Sequence, residues 1–211
     1  MRASAEERDL GIAVDSNLKF KQQARTAVAK ANRILAVIRR SFVNINLHTL
    51  PGLYKTLVRP ILEYANSVWG PWNREDQKLI ERVQRRATRM VPTLRHREYV
   101  ERLQALHLPS LYYRRRRGDM IRVYQLFNGG VDQDFQQFFT LDHNTRTRGH
   151  KWKILKPLAT SRVRRNAFAI RVVSDWNSLP SSVVEACSVN QFKNKLDTHW
   201  AHLRHFVPHE D

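Results

Sequence analysis

The side chains that could do chemistry here are cations. Between Leu18 and Phe42 stand Lys19, Lys21, Arg25, Lys30, Arg33, Arg39 and Arg40, with no acid among them. A second group follows at Lys78, Arg82, Arg85, Arg86 and Arg89. A third is the run Arg114, Arg115, Arg116, Arg117, directly behind Tyr112 and Tyr113. Phosphates repeat along a nucleic-acid strand, and a row of cations on one helix face can follow them by displacing condensed counterions. Such contacts carry little base information. Tyrosines beside arginines add base stacking to phosphate pairing; the competing reading is that the tyrosines pack a core and the arginines are solvated or salt-bridged.

The elements that must position these groups read as helices. Projected at about 100° per residue, Ala24, Ala27, Val28, Ala31, Ile34, Leu35, Val37, Ile38 and Phe42 share one arc, and the basic residues take the other side. An ordinary solvated face mixes signs, because opposite charges four residues apart support a helix. An unrelieved positive face therefore implies an anionic partner. Asp15 and Ser16 are suitable caps for a helix over Leu18–Phe42. In front of them, Asp9–Val14 (DLGIAV) is apolar and partly β-branched, a strand or half of a hairpin. Leu50–Trp69 is apolar on most sides and reads as a central buried helix that Pro60 kinks or splits; Arg59 and Glu63 are spaced to pair. Asn73 caps a third helix with Asp76 three residues on. There Ile80, Val83, Ala87, Met90 and Val91 oppose the basic residues, Glu81 and Arg85 are spaced to pair, and Pro92 stops the helix. Glu98–Leu106 is a short helix. Another opens at Leu108-Pro109-Ser110 and ends at Asn128-Gly129-Gly130, with Arg115 and Asp119 spaced to pair.

Residues 131–165 are looser, with a basic stretch from Thr145 to Lys156. Lys151–Leu155 alternates, as a strand would. Asn166–Trp176 and Val189–Arg204 read as helices, the last with Phe192, Leu196, Trp200 and Leu203 on one face. Trp69, Trp72, Trp176 and Trp200 sit beside apolar residues, and core packing suits them. Asn177 and Ser178 are expected in a turn before Pro180.

The bulk numbers agree with this picture. The chain has 211 residues and a net charge of +18, with 37 Lys and Arg against 19 Asp and Glu. Residues 1–130 hold 25 basic and 11 acidic residues, so the positive surface belongs to the first part. A charge of that size speaks of an anionic partner and says little about fold. The hydrophobic fraction of 42% argues against wholesale disorder. Cys187 is the single cysteine, so there is no internal disulfide and no Cys-based zinc site. His199, His202 and His205 are spaced by three, but no Cys or carboxylate nearby completes a tetrahedron, and they read as surface residues. Glu101, Asp119, Asp175 and Asp197 form no acid–base pair, and no nucleophile elbow is present. The N-terminus lacks a signal-like apolar run and no stretch reaches the ~18 residues of a membrane span. An intracellular protein, nuclear or cytoplasmic, is expected.

Several strings resemble non-LTR retrotransposon reverse transcriptases of the jockey-like type, in the part downstream of fingers and palm. They are DLGIAVDSNLKF (9–20), LYKTLVRPILEYANSVWGP (53–71), IERVQRRATRMV (80–91), YVERLQALHLPSLYYRRRRGDMI (99–121), TRGH (147–150), FAIRVVSDWNSLP (168–180) and FKNKLDTHW (192–200). They stand in the family's order and spacing and cover nearly the whole chain. The resemblance implies the thumb and carboxy-terminal region, helical elements that hold template RNA and growing DNA behind the active site. The family's polymerase aspartates hold two divalent cations, one on a paired-aspartate hairpin. This chain has no Asp-Asp pair, so the resemblance implies a piece without the metal site, the polymerase activity or the upstream endonuclease, such as a 5′-truncated copy leaves.

The expectations are then definite. The fold is mainly α: a strand or hairpin remnant over 1–17, a basic helical thumb-like domain over 18–130, and a mixed, partly helical carboxy-terminal region over 131–211. The function is nucleic-acid binding without catalysis and without a cofactor. RNA template, DNA or an RNA–DNA hybrid are the partners, with the missing upstream polymerase domains as a further one and no membrane. The contacts expected are Lys19, Lys21, Arg25, Lys30, Arg33, Arg40, Lys78, Arg82, Arg85, Arg86, Arg89, Arg114, Arg116 and Arg117. The alternative is a host-domesticated RNA- or DNA-binding or scaffold module derived from such an element. A membrane-surface protein built on basic amphipathic helices is a rival from another class.

Overall fold

A computed structural model describes residues 6–130, 135–142 and 149–208. Residues 145–148, which hold the first part of the expected basic stretch and the Thr147-Arg148 of the TRGH string, lie outside the described residues. So do residues 1–5 and 131–134, at the starts of the expected first and last regions.

The chain opens on an antiparallel hairpin, β1 (Glu6–Asp9) and β2 (Ile12–Asp15), with Asp9 opposite Ile12. Leu10 (φ 44°) and Gly11 (φ 83°) make its two-residue turn. Both have positive φ, the geometry that matches the strands' right-handed twist. Glycine adopts it freely, and Leu10 does so fully in solvent. The first helix, α1, spans Lys21–Ser41 and so starts later than Leu18. Asp15 caps the turn before it instead: its Oδ1 accepts from the Lys19 amide at 2.7 Å. Phe20, in the left-handed region, precedes the helix without a side-chain cap. The buried stripe of α1 is Ala24, Ala27, Val28, Ala31, Leu35 and Ile38, joined by Gln23.

The segment expected as a central helix kinked or split at Pro60 runs helical from Thr49 to Glu63, as α2 (Thr49–Leu53), a π-turn (Tyr54–Val58) and α3 (Arg59–Glu63), and breaks at Tyr64–Ala65 before α4 (Asn66–Trp69). Pro60 lies in the first turn of α3, where its missing N–H costs least. The widened turn directly before it accommodates the ring, which would crowd the carbonyl four residues back. The segment is not buried all round. Leu50, Tyr54, Val58 and Leu62 are buried, while Leu57, Tyr64 and Val68 are exposed. In a regular α-helix a four-residue repeat drifts by about 40° each time, and a wider turn takes up part of that drift. Ala65 (φ 51°) turns the chain between α3 and α4.

Helix α5 (Arg74–Thr88) starts as expected on Asn73, whose side chain accepts from the Glu75 amide at 3.4 Å. Helices α6 (Tyr99–Ala105) and α7 (Leu111–Phe127) follow, and Gly129 (φ 66°) comes after the latter. Then come α8 (Arg162–Asn166), α9 (Phe168–Ser178), α10 (Ser181–Val184) and α11 (Val189–His199). Lys151–Leu155 forms no regular strand; it makes one isolated antiparallel bridge, Ile154 to Leu141.

The molecule is thus mainly helical with one two-stranded antiparallel sheet. It divides into two compact units, with the boundary inside α7 at Arg115–Arg116. The first unit also takes the C-terminal residues from His205 onward, where the Phe206 carbonyl accepts from Ser110 Oγ at 2.7 Å. Its core joins α1, the 50–69 segment, α5 and α6 through Ala31, Leu35, Tyr54, Leu62, Trp69, Ile80 and Leu103. The second unit is centred on Trp176, Tyr124 and Phe192, the last two stacked at 4.3 Å. Asn177 does more there than make a turn. Its amide receives the Ile154 N–H at 2.9 Å and donates to the Ile154 carbonyl at 2.8 Å, standing in for a strand neighbour.

Candidate nucleic-acid interface

Helices α1 and α5 pack against each other and bring Arg39 of the one basic arc near Arg86 and Arg89 of the other. Lys21 and Arg25 lie within electrostatic reach of Asp76, Arg86 Nη1 donates to Asn32 Oδ1 at 2.6 Å, and Arg39 meets Arg89 and Met90 across a groove. Residue numbers rise together on both helices, so the pair runs parallel. Both C-terminal ends, with their partial negative charge, therefore point the same way. Arg39 and Arg40 stand in the last turn of α1, and Arg85 and Arg86 in that of α5. The two helix ends offset part of the repulsion among the arginines gathered there.

The groove at this end measures about 710 Å³ and is lined by Asn32, Leu35, Ala36, Arg39, Ile45, Arg86, Arg89, Met90 and Arg95. Four arginines surround an apolar floor, and no carboxylate lines it. Arg39, Arg86, Arg89 and Arg95 are exposed. Neither Arg39 nor Arg95 was among the expected contacts; Arg39 lies on the basic arc of α1, whereas Arg95 stands just after a short 3₁₀ turn, Pro92–Leu94, and only folding carries it to the groove.

The remaining expected contacts are distributed differently. Lys19, Lys30, Arg33 and Arg40 are exposed on or near α1, outside the lining of the groove. Lys21 and Arg25 are exposed but share the field of Asp76, whose carboxyl is raised chiefly by burial, with the two cations pulling it down. Lys78, Arg82 and Arg85 face a second concavity on the other flank of α5, where the Arg85 guanidinium sits 4.4 Å from the Tyr99 ring centre.

The four-arginine run of α7 is built into the protein. Arg114 forks onto both carboxylate oxygens of Glu63, which also lies 3.9 Å from Arg59. Arg116 forks onto Asp175 at 2.8 and 2.6 Å, and Arg117 onto Asp197 at 2.5 and 2.8 Å. Asp119 receives the fork of Arg171 at 2.9 and 3.0 Å. Bidentate pairs of this kind consume the geometry that phosphate recognition would need. Arg114, Arg116 and Arg117, expected as phosphate contacts, are each placed against a carboxylate of the chain itself. Tyr113 is buried and Tyr112 meets Phe206 edge-on at 5.7 Å. Of the tryptophans, Trp69, Trp176 and Trp200 are buried as expected, and Trp72 is half-buried.

Glu81, which is spaced to pair with Arg85, is chiefly a buried hydrogen-bond acceptor. It is 3% exposed, and its Oε1 accepts from the Tyr99 hydroxyl at 2.7 Å and the Leu111 amide at 3.3 Å. Burial raises its carboxyl above the ordinary range, against the opposing field of Arg115 and those hydrogen bonds. With Gln84 and Thr88 it forms a buried polar strip on α5. Gln84 accepts from Tyr54 Oη at 2.7 Å and donates to the Pro109 carbonyl at 2.9 Å, and Thr88 Oγ1 accepts from Arg102 Nε at 3.0 Å.

Among the described residues, no group of three or more His, Cys, Asp or Glu could hold a metal, and no helix is long and apolar enough to cross a membrane. His199 and His202 are exposed and His205 half-buried. No protein family, no curated protein and no solved structure matches this chain.

Proposed function

We propose that this chain binds nucleic acid through phosphate contacts, with the arginine groove between α1 and α5 as its principal surface. In that reading it serves as the thumb and carboxy-terminal region of a jockey-like non-LTR retrotransposon reverse transcriptase, holding template RNA, DNA or their hybrid without polymerase or endonuclease chemistry of its own. One observation carries the binding reading: Arg39, Arg86, Arg89 and Arg95 meet at one end of a parallel helix pair with no carboxylate beside them, whereas the arginines of α7 are given carboxylates. The reverse-transcriptase reading rests on the co-linear strings quoted above.

Fluorescence anisotropy against an RNA–DNA hybrid, single-stranded RNA and duplex DNA over a salt series tests it. On a single strand each phosphate contact contributes roughly 0.7 to the slope of log K against log salt. Changing Arg39, Arg86, Arg89 and Arg95 to Ser should lower that slope by about 3 and weaken all three ligands alike. A control with Arg164, Arg165, Lys193 and Lys195 changed to Ser removes the same charge elsewhere. Equal losses in both variants would reduce the groove to a bystander, and no binding near physiological salt would end the nucleic-acid reading. Preference for the hybrid supports the reverse-transcriptase assignment.

A further inference from the structure

The groove between α1 and α5 contains more than a phosphate site requires. Phosphate contacts need charge and hydrogen-bond donors, which the four arginines supply. The same groove is also lined by Leu35, Ala36, Ile45 and Met90. Ile45 and Met90 pack partly against the core and stay half-buried, while Ala36 is exposed. Covering such surface with a flat apolar group is favourable, because it removes the surface from water. Among the described residues, Asn32 is the one polar lining side chain besides the arginines, and its Oδ1 already accepts from Arg86 Nη1 at 2.6 Å. The groove therefore offers donors to anions and an apolar wall, with few groups that could read the edge of a base. Its volume of about 710 Å³ falls in the range of sites that enclose a small ligand. An acidic, apolar peptide would also suit a groove of this kind. A strand is favoured because exposed cations continue along α1 outside it, at Lys30, Arg33 and Arg40, where a regularly repeating anion can follow them.

We propose that the groove seats an unpaired base of a nucleic-acid strand against its apolar lining, while Arg39, Arg86, Arg89 and Arg95 hold the phosphates on either side. This rests on the nucleic-acid reading above and narrows it: the strand is locally single where it crosses the groove. In a duplex each base is covered by its neighbours in the stack, so only an unpaired base can turn a face to the protein. Apolar side chains and guanidinium planes both accept such a face. Every base has one, so the seat is tolerant of sequence.

Octameric oligo(dT) and an octamer of abasic sites carry the same phosphates, so their difference on the unaltered protein isolates the base contribution. Their salt slopes should match, since the slope counts phosphate contacts. Oligo(dT) should bind roughly 10-fold tighter, the worth of one stacked base, and that ratio should persist at high salt because counterion release has no part in it. In the double variant Ile45→Ser, Met90→Ser, oligo(dT) should lose several-fold more affinity than a long blunt duplex, whose bases are stacked internally. Equal affinities of the two octamers for the unaltered protein would overturn the proposal, and salt-dependent binding of both would retain the nucleic-acid reading alone. Equal losses of oligo(dT) and duplex in the double variant would also overturn it, since the apolar side chains would then only shape the groove. If neither octamer binds and a peptide of alternating Asp and Leu does, this proposal and the nucleic-acid reading fall together.

Discussion

Two buried ionisable side chains show how much of this protein is decided atom by atom. Glu81 has its carboxyl raised by burial, so its contribution to stability is complete below the ordinary value of 4.5 and is lost as pH rises through the raised one. Glu81→Gln has no such titration. Its melting temperature relative to the parent should therefore be higher at pH 8 than at pH 4.5, as thermal unfolding by circular dichroism would show; a constant difference would mean that Glu81 does not carry a raised pKa. The Arg171–Asp119 pair has the opposite character. With side chains 19% and 10% exposed and a two-pronged geometry, it is satisfied on both sides. Asp119→Asn leaves a half-buried guanidinium with one prong unmatched, at a cost of about 1–3 kcal/mol in a urea titration; no change would class the pair with exposed ones. The spacing of Arg115 and Asp119 is visible in the sequence. That Asp119 takes Arg171, 52 residues on, is not.

Caps and turns set the helices more than composition does. Asn73 holds an extended backbone and accepts from the Glu75 amide, so Asn73→Ala should cost about 1 kcal/mol, whereas Asn73→Asp should be close to neutral. Equal losses in the two variants would mean that the side-chain cap is not the cause. Ala65 holds φ 51° between α3 and α4. A side chain there is strained by about 1 kcal/mol, so Ala65→Gly should raise the denaturation midpoint despite the added freedom of the unfolded chain. The Asn73 cap was legible because an Asn before a charged first turn is a local signal. The distortion of the 50–69 segment was legible at Pro60, but its break at Tyr64–Ala65 and the exposure of Leu57, Tyr64 and Val68 were not, since these depend on what packs alongside.

At the scale of the molecule, charge dominates. A net charge of +18 repels itself in the compact state. Raising salt from 20 to 300 mM should raise the melting temperature, with the Debye length falling to below about 10 Å. A polyanion that binds the groove should raise it further, through preferential binding to the folded chain. The four-Arg groove variant should show a smaller salt effect than the parent. If variant and parent respond alike, the arginine groove is not where the repulsion resides.

Much of this protein follows from local pattern alone. The helix periods, the capping Asn73, the distortion at Pro60 and the clean separation of Lys and Arg from apolar residues on α1 and α5 are short-range properties, and each was readable along the chain. Which cations stay available was settled only by tertiary structure. Glu63, Asp175 and Asp197 are 51, 59 and 80 residues from the arginines they hold, and no local rule joins them. The same holds for the parallel docking of α1 and α5, which collects four arginines where two helix dipoles end, and for the burial of Glu81. Pairing and desolvation depend on neighbours in space, and a chain's order specifies those only after it has folded.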